Sequence, residues 1–370
     1  MKMKIKTQLK NIASYSKGEQ INGDDLIENG TYDYLNGGIA PSGKWNSYNT
    51  PANTVTISEG GNSCGYVNFM NKPFWCGAHC YYLFDTISNA KYLYYALKSQ
   101  QDRLMKIRSG ACMPNIKKSD LGKFEIFYET DEDEQNKVVD VLTKCENVIC
   151  SRKQQLQQLD DLVKARFVEM FGDPILNPNG WDVVTIGDIV TDVRYGTSKP
   201  AVEGGKYPYL RMNNLTYDGH LDLSDIKYID IPDNEIEKCV VRKGDVLFNR
   251  TNSIELVGKT CVFDLDDDMV IAGYIIRVRV NGKLLPIILS NYMNSAVLKK
   301  QLRNMAKGAV NQANINAQEL QSIKIYLPPI ELQNEFATFV EQIDKSKVAV
   351  QKALDEAQTL FDSLMQEYFG

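Results

Sequence analysis

At 370 residues, with 43% hydrophobic and 24% charged side chains, the chain has the length for two ordinary domains and the balance of folded rather than disordered material. A formal charge of −5 excludes a protein that is basic all over, yet Asp131 to Glu134, Asp222 to Asp230 and Asp264 to Asp268 concentrate the acid and leave other surfaces free to bind nucleic acid. No apolar stretch reaches membrane-spanning length, Met1 to Lys6 lead into no signal-peptide core, and the eight cysteines are sparse, so reduced thiols and a cytoplasmic location are expected.

The first domain, residues 1–130, opens with Leu9-Lys10-Asn11-Ile12 and Tyr32-Asp33-Tyr34-Leu35. β-type runs at Asn53 to Ser58 and Tyr66 to Asn68 follow, each bounded by Gly, Asn or Pro, then a helix near Ala90 to Ile107 and a closing strand at Lys123 to Tyr128. In residues 131–172, Val138, Leu142, Cys145, Ile149, Arg152, Leu156, Leu159, Val163, Arg166 and Met170 recur at steps of four and three, the spacing of a coiled-coil seam. Gly172, Pro174, Pro178 and Gly180 end that helix.

The second domain, residues 173–328, repeats the plan. It opens with Ile186-Gly187-Asp188-Ile189 and Tyr207-Pro208-Tyr209-Leu210, with strands expected at Asp182 to Ile186, Asp245 to Phe248, Lys259 to Phe263 and Tyr274 to Val280. A helix near Ile287 to Ala306 and a closing strand at Ser322 to Leu327 complete it. In residues 329–370 the seam returns as Phe336, Val340, Ile343, Lys347, Val350, Leu354, Ala357, Phe361, Leu364 and Tyr368, at a constant offset of 198 from the first. The same offset carries Gln135-Asn136 onto Gln333-Asn334 and Phe171-Gly172 onto Phe369-Gly370.

The expected fold is therefore α+β: two domains with small, strongly bent sheets, joined by two long antiparallel coiled-coil helices in a pseudo-two-fold arrangement. A helix of roughly 35 to 40 residues is about 50 to 60 Å long, which suits a ruler that spaces two readers along duplex DNA. Because the two domains diverge between their shared anchors, the two half-sites they read are expected to differ.

Candidate DNA-reading residues are the Asn, Gln, Arg, Lys and aromatic side chains grouped on expected loops, since Arg and Lys pair with guanine, Asn and Gln with adenine, and hydroxyls with phosphate. In the first domain these are Lys44, Trp45, Asn46, Asn62, Ser63, Lys72, His79, Arg108, Asn115 and Lys117. In the second they are Arg211, Asn213, Asn214, Asn249, Arg250, Thr251, Asn252, Ser253, Asn311, Gln312 and Asn314.

The run from Leu159 to Pro174, which starts Leu159-Asp160-Asp161-Leu162 and closes Phe171-Gly172-Asp173-Pro174, resembles the central spacer of type I restriction–modification specificity subunits. Lys243-Gly244-Asp245-Val246-Leu247-Phe248-Asn249-Arg250 and Leu327-Pro328-Pro329-Ile330-Glu331-Leu332-Gln333 are further matches. The first half departs from the pattern, with Tyr128-Glu129-Thr130-Asp131 in place of Pro-Pro. The resemblance implies target-recognition domains for double-stranded DNA and a complex with two copies of a DNA adenine methyltransferase, optionally with restriction subunits. It also implies that S-adenosylmethionine, ATP and Mg belong to those partners, and that this chain holds no cofactor or metal and catalyses nothing.

Competing readings are weaker on the residues. Neither Asn177-Pro178-Asn179 nor Leu327-Pro328-Pro329-Ile330 provides the Asn/Asp-Pro-Pro-aromatic run of an adenine methyltransferase. Asp233, Glu235, Glu237 and Lys238 are too close in sequence to surround a nuclease metal, and Cys64, Cys76, His79 and Cys80 lack paired Cys-x-x-Cys spacing and are expected as buried thiols. A coiled-coil scaffold that reads no DNA is the alternative from another class.

Overall fold

The computed structural model describes residues 4–87, 89–110, 114–309 and 312–370, and the chain divides into two compact units. One comprises residues 1–154 with 351–370, the other residues 155–350. Each long helix contributes to both units: a central helix, Glu132–Phe171, and a second, Ile330–Phe369, have 40 residues apiece.

In the first unit Ile5–Gln8 pairs antiparallel with the closing strand Glu125–Tyr128, and a four-stranded sheet runs Ser14–Lys17, Cys80–Phe84, Thr54–Ser58, Val67–Met70. A three-stranded sheet runs Gly43–Trp45, Tyr32–Leu35, Phe74–Cys76, the last pair parallel. The opening strand at Ile5–Gln8 was not anticipated, because its charged alternation hid it. Its partner, four residues long, is what makes it a strand.

The second unit repeats this topology with one further edge strand in its second sheet. Val183–Thr185 pairs with Lys324–Tyr326, and a four-stranded sheet runs Val190–Tyr195, Ile275–Val280, Val246–Asn249, Thr260–Val262. Another runs Lys227–Ile229, Tyr207–Leu210, Met269–Ile271, Val240–Val241, again with one parallel pair, Tyr207–Leu210 beside Met269–Ile271. The internal repeat is therefore a repeat of strand order, not only of seam residues.

Two expected helices are each broken. Ala90–Lys98 and Gln101–Lys106 are separated at Gln100, whose φ of −112° and ψ of 21° lie outside the helical region. Pro286–Asn294 and Ala296–Met305 are separated at Ser295, which turns extended and uses its hydroxyl to cap Leu298 N–H.

The seams do what their spacing requires. In the second unit Val163, Phe167, Phe171, Phe336, Val340 and Ile343 are buried in one core with Tyr292 and Tyr326. Phe336 lies 5.5 Å from Phe167 and 5.4 Å from Phe171 between ring centres, Arg166 reaches Glu335 at 2.8 Å, and Asp160 meets Lys347 at 2.5 Å. Partners descend along one helix as they ascend along the other, so the two segments run antiparallel here. In the first unit Leu142 and Phe369 are buried, with Val138, Phe361 and Leu364 packed around them.

Repeat-related residues perform the same local tasks. Gln135 and Gln333, both essentially buried, tie each helix start to the preceding chain: Gln135 donates to Glu129 O at 2.6 Å, Gln333 to Pro328 O at 2.8 Å. Each also accepts a backbone N–H at its Oε1, from Asn89 and Leu285 respectively. Tyr92 meets Tyr128 edge-on at 5.7 Å in one unit, as Tyr292 meets Tyr326 at 5.2 Å in the other. Gly172 ends the central helix at φ +74°, and a Cβ there would lie 2.3 Å from the Pro178 ring.

Candidate nucleic-acid interface

In the second unit the structure joins two stretches that the sequence leaves 60 residues apart. Thr251–Asn252 pairs antiparallel with Gln312–Asn314, which pairs in turn with Lys307–Ala309, making a small ribbon at the end of strand Val246–Asn249. These are strands rather than loops. Thr251 Oγ1 donates to Asn314 Oδ1 at 2.8 Å, and Arg250 O accepts from Ile315 N–H at 2.9 Å.

Burial sorts the candidates by what their side chains can reach. Asn249 is fully buried: its Nδ2 donates to Thr251 O and Tyr274 O, and its Oδ1 accepts from Asn252 Nδ2 at 2.9 Å. Asn214 is 2% exposed, donates to Asp222 O at 2.8 Å and accepts Arg211 N–H at 2.8 Å. Asn214, Asn249 and the buried Thr251 thus build the surface and do not present to it, which corrects their expected role as direct contacts. Arg211 is held by Asp225 at 2.7 Å, so its guanidinium is already paired.

Arg250 is different. Its guanidinium lies 4.8 Å from the centre of the half-exposed Tyr195 ring; among the described residues its buried Nε has no partner and Nη1 makes a long contact of 3.4 Å to Gly273 O. Among the described residues no carboxylate pairs with this half-buried guanidinium, which stands on an aromatic face next to the half-buried Asn252, Ser253 and Asn314. Asn213 is exposed on the neighbouring turn. Tyr195 and Tyr274, exposed at 42% and 50%, flank the ribbon and were missed, since isolated tyrosines in strand-like runs read as core. Asn311 lies outside the described residues, and for Gln312 only the backbone is described.

In the first unit the backbone gathers a comparable group around Glu59. Glu59 N–H donates to His79 O, Ile116 N–H to Glu59 O, and Gly61 N–H to Pro114 O at 3.0 Å, which brings Asn62, Ser63, His79, Asn115 and Lys117 into one region. Ser63 is committed to Gly37 O at 2.6 Å, whereas Asn62, Arg108, Asn115 and Lys117 are exposed. His79, 63% exposed, sits 3.5 Å from Glu59, which also pairs with Lys17 at 2.5 Å.

Lys44, Trp45 and Asn46 fall on and just after strand Gly43–Trp45 of the other sheet, where Trp45 meets Trp75 at 6.4 Å; Lys72 is exposed ahead of the adjoining strand. Lys44 and Trp45 are thus on a strand, not a loop. The binary pattern is too short there to show it.

The other groupings are engaged within the fold. Glu235 pairs with Lys199 at 2.9 Å and Glu237 with Arg242 at 2.5 Å on the short helix Asp233–Cys239, as an ion-paired surface does. Cys64, Cys76 and Cys80 are buried, and hydrogen bonding with Cys80 together with burial pushes the Cys76 thiol far above the usual thiol range. The seven described cysteines are free thiols.

Among the described residues Asp160, Asp218 and His220 bring ligand-type atoms within 4.8 Å of one another, beside a cavity of about 660 Å³. The Lys347 ammonium already lies 2.5 Å from Asp160 and supplies the positive charge there. Burial alone would raise the Asp160 carboxyl, but hydrogen bonds from His220 and Lys347 override it and hold it down at about 2. His220 is shifted up in return, chiefly by its bond to Asp160. Asp173, Asp264, Glu341 and Asp344 also line it, so carboxylates outnumber Lys164 and Lys347 around this cavity.

Comparison with known proteins agrees with this architecture. The EcoKI type I restriction enzyme specificity subunit of Escherichia coli is 28% identical over 182 residues, 48% of this chain and 39% of that one. The StySPI specificity subunit of Salmonella potsdam is 23% identical over 333 residues, 84% of this chain and 72% of that one. A Mycoplasma genitalium relative is 31% identical over 222 residues, so the chain spans 57% of that relative's length.

The crystal structure of a type I restriction–modification system S subunit from M. genitalium shares the fold, with a TM-score of 0.62 at 21% identity, over 99% of this chain and 96% of that one. Residues 2–161 and 178–357 each match the type I restriction modification DNA specificity domain. With the same strand order in both units and a family match to each half, the chain belongs to the type I restriction–modification DNA specificity family.

Proposed function

We propose that the chain reads an asymmetric, bipartite DNA sequence, one half-site per unit, and positions two copies of a DNA adenine methyltransferase, with restriction subunits as optional further partners. Methyl transfer and cleavage, with their S-adenosylmethionine, ATP and Mg, belong to those partners; this chain supplies discrimination. The observation that carries the reading is the repeated topology with unlike contact residues. The Arg250–Asn252–Asn314 ribbon and the Asn62–Arg108–Asn115 region are held by similar sheets yet offer different donors and acceptors, which is what two different half-sites require.

Methylome sequencing of cells expressing the chain with a type I methyltransferase subunit encoded beside it, against the methyltransferase alone, tests this. Methyl-adenine at one split motif, present only with the chain, is the expected result. No new motif would leave a coiled-coil scaffold as the better reading.

A further inference from the structure

Behind the second unit's recognition region lie two lysines whose chemistry the proposed function does not use. Lys259 is 6% exposed and Lys299 4%, and no carboxylate is within ion-pair reach of either among the described residues. Each ammonium instead donates to a backbone carbonyl: Lys259 to Met212 O at 2.7 Å, Lys299 to Gly258 O at 2.8 Å. Met212 belongs to the turn that carries Arg211, Asn213 and Asn214. Gly258, at φ +81°, closes the segment that begins with Asn249, donating its own N–H to Asn249 O at 2.9 Å.

An unpaired buried ammonium is costly, and a lysine retained so has to be satisfied by something that is part of the folded or bound state. The groups facing Lys299 are cations and an aromatic: Lys259, Arg303, and the Tyr217 ring 5.0 Å away, whose hydroxyl accepts from Arg303 at 2.9 Å. The carboxylate of Glu255 is drawn down by a hydrogen bond from Ser253 and by the charge of Arg303, and so acts on Arg303. The charges acting on Lys299 are therefore positive, one from the buried Lys259 and one from the exposed Arg303.

Resting on the DNA-reading function proposed above, we propose that Lys259 and Lys299 are positioning residues that fix the Arg211–Asn214 turn and the Asn249–Gly258 segment relative to each other, and that Lys299 takes on its positive charge when the phosphates of a duplex arrive. Neither lysine touches a base; together they determine where Asn213, Arg250 and Asn252 stand when one arrives. Burial, with Lys259 and Arg303 close by, brings the Lys299 ammonium down to about 7 in the free chain. Phosphates drawn near would favour its charged form, so duplex binding takes up a proton at Lys299.

The test uses the full chain in complex with its methyltransferase subunits, and measures affinity for a duplex with the methylated motif and for a scrambled one from pH 6 to 9. For the wild type, affinity falls as pH rises through the window above about 7, by at most about tenfold per unit for one proton. Lys299→Met lowers the ratio of specific to scrambled binding roughly tenfold and flattens the profile.

Arg303→Gln, at an exposed position, removes one of the neighbouring cations and moves the pH midpoint upward while the fold persists. A wild-type profile that is flat, a midpoint unmoved in Arg303→Gln, or a folded Lys299→Met complex with unchanged discrimination overturns the proposal. Were the wild-type complex itself to show no discrimination, the DNA-reading function would have failed instead, so the two failures are distinct.

Discussion

His220 illustrates how a single residue couples a loop to the helices within the second unit. Its ring, 47% exposed, meets Asp160 at 3.1 Å, and Asp160 also receives Lys347. Because His220 titrates above its ordinary 6.5 in the folded chain, its contribution to stability is complete below about 6.5 and disappears as pH rises through the folded value. Asp160, lowered from 3.8 to about 2, contributes above about 4 and loses that contribution as pH falls toward 2. His220→Ala should therefore cost most stability near pH 5 and least near pH 8, in urea titrations of both proteins across that range. A cost independent of pH would mean that the ring acts only by packing. Nothing in the sequence pairs His220 with Asp160, 60 residues away; that contact was legible only once the loop Thr216 to His220 had been placed against the central helix.

At the scale of elements, much was legible, because helices of 40 residues declare themselves by period alone. The seam residues Val163, Phe336, Val340 and Leu354 are buried as their spacing requires, and the closing strands fall within the stretches assigned to them. What escaped was set by distant partners. Ile5–Gln8 is a strand only because Glu125–Tyr128 lies beside it, and the ribbon at Thr251–Asn252 exists only because Gln312–Asn314 arrives to pair. The matched glutamines show how the helix starts are fixed. Replacing Gln333 with Leu leaves Pro328 O, Lys283 O and Leu285 N–H without their partner, a loss of about 1 to 3 kcal/mol for each buried group not reached by water. Gln135→Leu should do the same in the other unit. Calorimetry of each variant is expected to lower one of two transitions and spare the other; a uniform shift of a single transition would show that the two units unfold as one.

For the whole molecule, the repeat sets what a substitution can reach. The fold class and the family were readable because duplicated seams and Phe-Gly endings register at a constant offset, whereas the candidate contact residues were readable only as a pool. Buried Asn214 and Asn249 have the same composition signature as exposed Asn213 and half-buried Asn252, and only burial tells the two pairs apart. That separation generates the final expectation. Among the described residues the Arg250 guanidinium has no carboxylate partner and lies over Tyr195, so Arg250→Gln exchanges a cation suited to guanine or phosphate for an amide suited to adenine. Since Arg250 belongs to one unit with its own core, the change should relax or alter one half of the methylated motif, at a cost of about 1 to 3 kcal/mol in discrimination. The other half, which the proposed function assigns to the first unit, should stay as it was, and Asn249→Ala should instead lower stability by emptying a buried network. Methylome sequencing of the two variants beside the wild type measures both. If Arg250→Gln blurred both half-sites equally, the two units would not be independent readers, and the repeat would have to be understood as a single continuous DNA surface.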